Sequence, residues 1–153
     1  MSNLKTSDKK PTALRLLSQW WPSMVTAALI LWLTLTSDPV PDVQIPSWLG
    51  KHADKIVHAI MFGGLTGALI FDYKRRNPGA PHHTGTVFLI MLGVTMVFFG
   101  CIDEWLQDIM GLGRTADLYD VGADIAGIVC GLLLAPPVCD FLIRRWTIKE
   151  GKP

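Results

Sequence analysis

Cysteine is scarce in this chain, and so is charge. The three cysteines, Cys101, Cys130 and Cys139, are odd in number and lie inside or beside apolar runs. That excludes a disulfide framework and a thiolate metal site, leaving them as small packing residues. Only 18% of the 153 residues are charged while 50% are hydrophobic, and the mean hydropathy is +0.34. A soluble domain of this length would break its apolar runs with polar positions more often. The basic start of the chain leads to an apolar run without a small-residue cleavage site, so that run is expected to be a retained helix.

What is present is a set of span-length apolar segments, and the length permits one domain. A polar N-terminal segment, residues 1–19, precedes Trp20, with an interfacial helix expected near Arg15. Four spans are predicted, over 20–36, 54–73, 84–107 and 117–135, within a transmembrane domain of residues 20–137. Trp20, Trp21 and Trp48 suit headgroup depth. Pro39, Pro41 and Pro46 argue against a helix between Ser37 and Ala53. Gly63 with Gly67, and Gly127 with Gly131, are small-residue pairs that allow close helix packing. Pro136 and Pro137 are expected to end or kink the fourth span, and residues 138–153 form a basic tail.

The charges are sharply segregated. Of the 14 Lys and Arg residues, all but Lys51, Lys55 and Arg114 fall in the N-terminal segment, the loop near Lys74 or the tail. The positive-inside rule then places both termini in the cytoplasm, a parity that four spans satisfy. The predicted class is all-α: a polytopic membrane protein built as a compact four-transmembrane-helix bundle with both termini cytoplasmic.

The run from Gly100 to Asp124 breaks the apolar pattern. Between two long apolar segments it carries Asp103, Glu104, Asp108, Arg114, Asp117, Asp120 and Asp124. A charge at the bilayer centre costs about 2.5–3.5 kcal/mol on the insertion scale, so such residues usually mark function. Asp117, Asp120 and Asp124 share one helical face, as do Glu104 and Gln107. His58 lies one turn from Asp54 and three residues from Lys55 at the same depth. Asp54, Asp117 and Asp120 also suit helix caps, Lys55 could snorkel to the headgroups, and Arg114 could be a plain ion-pair partner. Capping does not account for Glu104 at a helix C-terminus, nor for Asp124 two turns inside its helix.

Three motifs result: Asp54-Lys55-x-x-His58, Glu104-x-x-Gln107, and Gly113-Arg114-x-x-Asp117-x-x-Asp120-x-x-x-Asp124. Together they resemble the VanZ-like membrane protein family in order, spacing and span layout, over roughly residues 54–134. One departure is that Asp124 stands where that family commonly has Asn. The resemblance implies a bacterial envelope protein, in a family named for a member associated with low-level resistance to the lipoglycopeptide teicoplanin. It implies no particular reaction.

Two functional readings lead. In one, an outward-facing acidic pocket binds a membrane lipid, a lipid-linked envelope precursor or a lipoglycopeptide-like ligand. Asp54, Lys55, Gln107, Arg114, Asp117 and Asp124 are its candidate ligand-binding residues. In the other, His58 works as general acid/base on such a lipid, oriented by Glu104 or Asp120, without a nearby nucleophile. A proton or ion relay ranks behind both, because no ionisable residue is expected in the inner half of any span. The carboxylates could hold a divalent cation, but no zinc-ligand spacing is present, and neither metal nor cofactor is expected. No nucleic-acid partner is expected.

Overall fold

The computed structural model of the protein describes residues 12–35, 47–77, 85–110 and 118–149. They form four helices, α1 (Thr12–Leu35), α2 (Ser47–Arg76), α3 (Thr86–Met110) and α4 (Leu118–Lys149), and no strand occurs among them. Three stretches are long and apolar enough to cross a membrane: Ala53–Arg76, Thr86–Met110 and Leu118–Arg145. The four expected spans coincide with the four helices, although α1 is not among these three stretches.

Many large apolar side chains are exposed. On α3, Val87, Ile90, Met91, Val94, Phe98, Trp105 and Ile109 are all exposed and recur at helical spacing. Such a stripe suits hydrocarbon and would be an aggregation liability in water. The interior holds Ile30, Phe62, Leu65, Met96 and Ile128. Around this layer the buried positions recur at helical period: 58, 62, 65, 66 and 70 on α2, and 120, 124, 127, 128 and 131 on α4.

Small residues bring α2 and α4 together. A Cβ on Gly127 would collide with the backbone of Ala59, and one on Gly131 would lie 2.9 Å from the Gly63 carbonyl oxygen. Only residues without a side chain permit backbones this close. Both glycine pairs singled out in the sequence fall on this contact, with Gly67 facing Ala135.

Two expectations need correction. α2 begins at Ser47, immediately after Pro46, so the last residues of the expected non-helical stretch are already helical. Nothing after Pro46 obstructs a helix, and all three prolines precede it. Likewise α4 does not end at Pro136 and Pro137, but runs through both to Lys149. Each proline removes a helical N–H, which membrane helices tolerate where neighbouring groups supply other partners. Lys74 on α2 also reaches this segment, donating to the Pro136 carbonyl at 3.2 Å and to Asp140 at 2.6 Å.

That contact belongs to a polar network at one end of the bundle. Asp72 is fully buried and accepts from Ser23 Oγ at 2.6 Å and from the Ser23 backbone N–H at 3.2 Å. Arg75 donates to the Gln19 carbonyl at 2.7 Å, four residues before Ser23 and beside Pro22. Asp72 and Lys74 belong to the expected loop and Asp140 to the expected tail, yet all three are bonded within this end of the bundle. From His58 to Asp72 is about 21 Å along α2 at about 1.5 Å per residue. The buried polar group between them on α2 is Thr66, whose hydroxyl bonds back to the Phe62 carbonyl.

Candidate functional site

The other end of the bundle carries the acidic residues. α2 supplies Asp54, Lys55 and His58, α3 supplies Asp103, Glu104 and Gln107, and α4 supplies Asp120 and Asp124. His58, Asp103, Glu104, Gln107, Asp120 and Asp124 are buried, and Asp54 is exposed. The α2–α4 crossing at Ala59 and Gly127 explains the convergence, because His58 and Asp124 sit beside that contact.

At the centre, His58 Nδ1 lies 3.0 Å from Asp124 Oδ1, and Glu104 Oε1 approaches the same nitrogen to 3.9 Å. An ionised carboxylate only accepts, so the neutral ring donates from Nδ1 to Asp124 and leaves Nε2 as its acceptor. Asp124, 1% exposed, has its other oxygen, Oδ2, buried without a hydrogen-bond partner among the described residues. That oxygen faces Gly100 on α3, where a Cβ would stand 3.0 Å away. Glycine at this position, one turn before Glu104, leaves room for the carboxylate.

Two further contacts flank this centre. Lys55 Nζ binds Asp120 Oδ1 at 2.8 Å, with the lysine side chain 30% exposed and the aspartate 10%. Asp103 Oδ1 lies 2.9 Å from Thr34 Oγ1, and Gln107 Nε2 donates to Asp103 Oδ2 at 3.3 Å. Thus Gln107 contacts Asp103, and α1 joins the polar end through Thr34.

Six of the candidate residues form one assembly: Asp54, Lys55, His58, Glu104, Asp120 and Asp124. Within it, Asp124 is the hydrogen-bonded partner of His58, while Asp120 pairs with Lys55. Arg114 and Asp117 lie outside the described residues. Asp103 and Thr34 were missed by sequence reasoning. The i, i+4 spacing of Asp103 and Gln107 was the available signal, since it puts both on one helical face.

Ligand atoms of His58, Glu104 and Asp124 all lie within 4.8 Å of one another, and the same holds for Asp54, His58 and Asp120. The arrangement can hold a positively charged group, donate hydrogen bonds from Lys55, or move a proton at His58.

An all-helical chain with three span-length apolar helices and a buried acid–histidine cluster at one end defines a helical membrane protein. The VanZ/LLP1 family matches residues 4–143, and the chain belongs to that family. Neither the comparison with curated proteins nor that with solved structures gave a match.

Proposed function

We propose that the protein is a multi-pass protein of the bacterial cytoplasmic membrane, with four spans and both termini in the cytoplasm. Its acidic end faces outward and binds the polar head of a membrane lipid, a lipid-linked envelope precursor or a lipoglycopeptide-like ligand. A role in glycopeptide resistance would follow from capturing that drug or masking the precursor it recognises. The observation that carries this reading is a groove of about 560 Å³ along the α2–α4 seam, lined by Ile56, Ile60, Gly64, Cys130, Leu134 and Val138 among others. Its lining runs from Ile56 to Gly64 on α2 and from Ala126 to Val138 on α4, the Lys55–Asp120 pair lying beyond its upper end in both helices. A head group at the Lys55–Asp120 rim would thus have an apolar channel for its chain. The asymmetric basic residues support the orientation.

The buried His58–Asp124 contact favours a second reading, acid–base chemistry on the same class of lipid. A carboxylate that fixes the tautomer of an imidazole is a usual element of such catalysis. The cluster contains no Ser or Cys, and Cys101 is exposed on α3, so the chemistry would proceed through activated water.

The test is native mass spectrometry of the chain purified from bacterial membranes in mild detergent. A retained lipid is expected, weakened by Lys55→Gln at the rim and by Gly64→Leu in the groove. A Cβ on Gly64 meets nothing within 4 Å and Gly64 lines the groove, so the added side chain enters the groove, and thermal unfolding of the variant checks that the bundle is intact. Equal retention by both variants and the original chain would refute the binding reading.

A further inference from the structure

We propose that His58, Glu104 and Asp124 hold a divalent transition-metal ion of the zinc or manganese kind. The inference rests on the reading that this end of the bundle is the functional one, and it identifies what the buried core of that site contains.

Geometry comes first. Three donors, one from each of three helices, point toward a common region: Nδ1 to Oδ1 is 3.0 Å and Nδ1 to Oε1 is 3.9 Å. Metal–ligand bonds of about 2.0–2.2 Å place neighbouring ligand atoms roughly 3–3.5 Å apart; the His58–Asp124 pair already has this spacing, Glu104 Oε1 must move a few tenths of an ångström toward Nδ1, and all three ligand atoms lie within 4.8 Å of one another. Zinc spacing could not be found in the sequence because the ligands come from separate helices.

The second observation is Asp124 itself. It is 99% buried by its 1% exposure, and its Oδ2 has no hydrogen-bond partner among the described residues. A buried carboxylate oxygen left in that state costs free energy unless something positive reaches it. Gly100 keeps open the space beside this oxygen that any side chain would fill.

Charge balance points the same way. Asp120 is paired with Lys55, whereas the buried Asp124 is hydrogen-bonded to the His58 imidazole alone among the described residues. A dication at Asp124 would neutralise it.

The alternative trio of Asp54, His58 and Asp120 is weaker, since Asp54 is exposed and Asp120 is held by Lys55. One imidazole with two carboxylates suits zinc or manganese better than calcium, which prefers oxygen donors alone. When the ion binds Nδ1, the ring carries its proton on Nε2. Three protein donors leave a coordination position for water or for an anionic oxygen of a bound head group.

The experiment uses the full chain in detergent, stripped with a chelator and then dialysed against zinc alone or manganese alone. Elemental analysis should find about one ion per chain, as a three-ligand site with one open position requires. Outer partners alone are worth about 10–100-fold in affinity, so Glu104→Gln or Asp124→Asn should weaken binding by about 100-fold or more. Asp108→Asn, an exposed acid on the same helix, should leave affinity unchanged. If the ligand variants do not fold, electron paramagnetic resonance of manganese in the original chain decides, because a bound histidine gives nitrogen hyperfine coupling. No retained ion, or an ion without nitrogen coupling, overturns the proposal. Lipid retention is scored on the same samples. Lipid capture without metal overturns the metal site alone, whereas metal uptake without lipid supports this site and refutes the binding function.

Discussion

His58 Nδ1 and Asp124 Oδ1 are 3.0 Å apart although 66 residues separate them in the chain. The contact joins α2 to α4 beside the crossing of Ala59 and Gly127, where the backbones approach so closely that no side chain fits at 127. Packing and site are therefore one feature: the glycine sets the helix separation, and that separation sets the histidine–carboxylate distance.

Gly127→Ala should accordingly disrupt both. Overpacking in a close-packed interior typically costs about 1–3 kcal/mol, and here the obstacle is backbone, which yields little. We expect a large loss of thermal stability in detergent together with loss of ligand retention. Gly122→Ala on the same helix is the control, because a Cβ there meets nothing within 4 Å. It should be neutral or stabilise by up to about 1 kcal/mol through helix propensity. Equal melting temperatures for the two variants would show that the crossing is looser than described.

Asp124→Asn and Asp124→Ala separate the hydrogen bond from the charge. Asn keeps an oxygen to accept from His58 Nδ1, so a change below about 1 kcal/mol is expected. Ala leaves the buried imidazole N–H without its acceptor, at a cost of about 1–3 kcal/mol. Thermal unfolding of the two variants measures the difference. Identical stabilities would mean that the contact contributes nothing to folding.

Much of the fold could be read from the sequence because apolar length and glycine spacing are local properties. The four helices and the close packing at Gly63, Gly67, Gly127 and Gly131 fall in this category, whereas the pairing of α2 with α4 appears only in the structure. The missed features depend on partners distant in the chain. Asp72 and Lys74 have the composition of a loop, and only Ser23 and Asp140, 49 and 66 residues away, show them buried. Asp103 stands next to Glu104, and adjacent helical residues point about 100° apart, so only the position of Thr34 on α1 shows that both face inward. The partner of His58 was assigned to Glu104 or Asp120 for the same reason: helix phase places Asp124 on the right face, but the depth of the crossing selects it.

Glu104→Gln and Asp120→Asn test whether the acids serve function or only the fold. Both preserve shape. Asp120 sits in the first turn of α4 and is held by a partly exposed lysine, contributions of about 1 kcal/mol or less each, so Asp120→Asn should melt near the original temperature. Glu104→Gln should likewise fold. A functional cluster predicts that Glu104→Gln abolishes the cellular phenotype and ligand retention despite intact folding. Full activity in both variants would reduce the cluster to a structural device.

Topology is tested by reporter fusions. With both termini in the cytoplasm, fusions at Asp42 and at Gly111 should report the outside, and one at Asn77 the inside. The expectation follows from the concentration of Lys and Arg at one side of the bundle. A cytoplasmic signal at Gly111 would place the acidic cluster on the inner face and exclude an outer-leaflet ligand.

His58 and Arg114 separate binding from catalysis. A general acid/base changes protonation during turnover, so an enzyme should show a pH dependence of activity that disappears in His58→Gln. A binding site needs His58 only as a hydrogen-bonding group, and Gln replaces that function in part. Arg114 lies outside the described residues, but its place in the motif between α3 and α4 makes it a candidate for gripping a phosphate or carboxylate. Lys keeps that charge and loses the planar two-pronged geometry, so Arg114→Lys should weaken ligand retention under either reading. Loss in both variants indicates chemistry on an anionic head group, measured as product formation from lipid extracts. Loss at Arg114 with His58→Gln tolerated indicates binding alone. Tolerance of both substitutions would exclude an anionic ligand held by these residues. The balance favours binding, because the residue beside His58 is a carboxylate already hydrogen-bonded to it, and among the described residues the cluster holds no serine or cysteine.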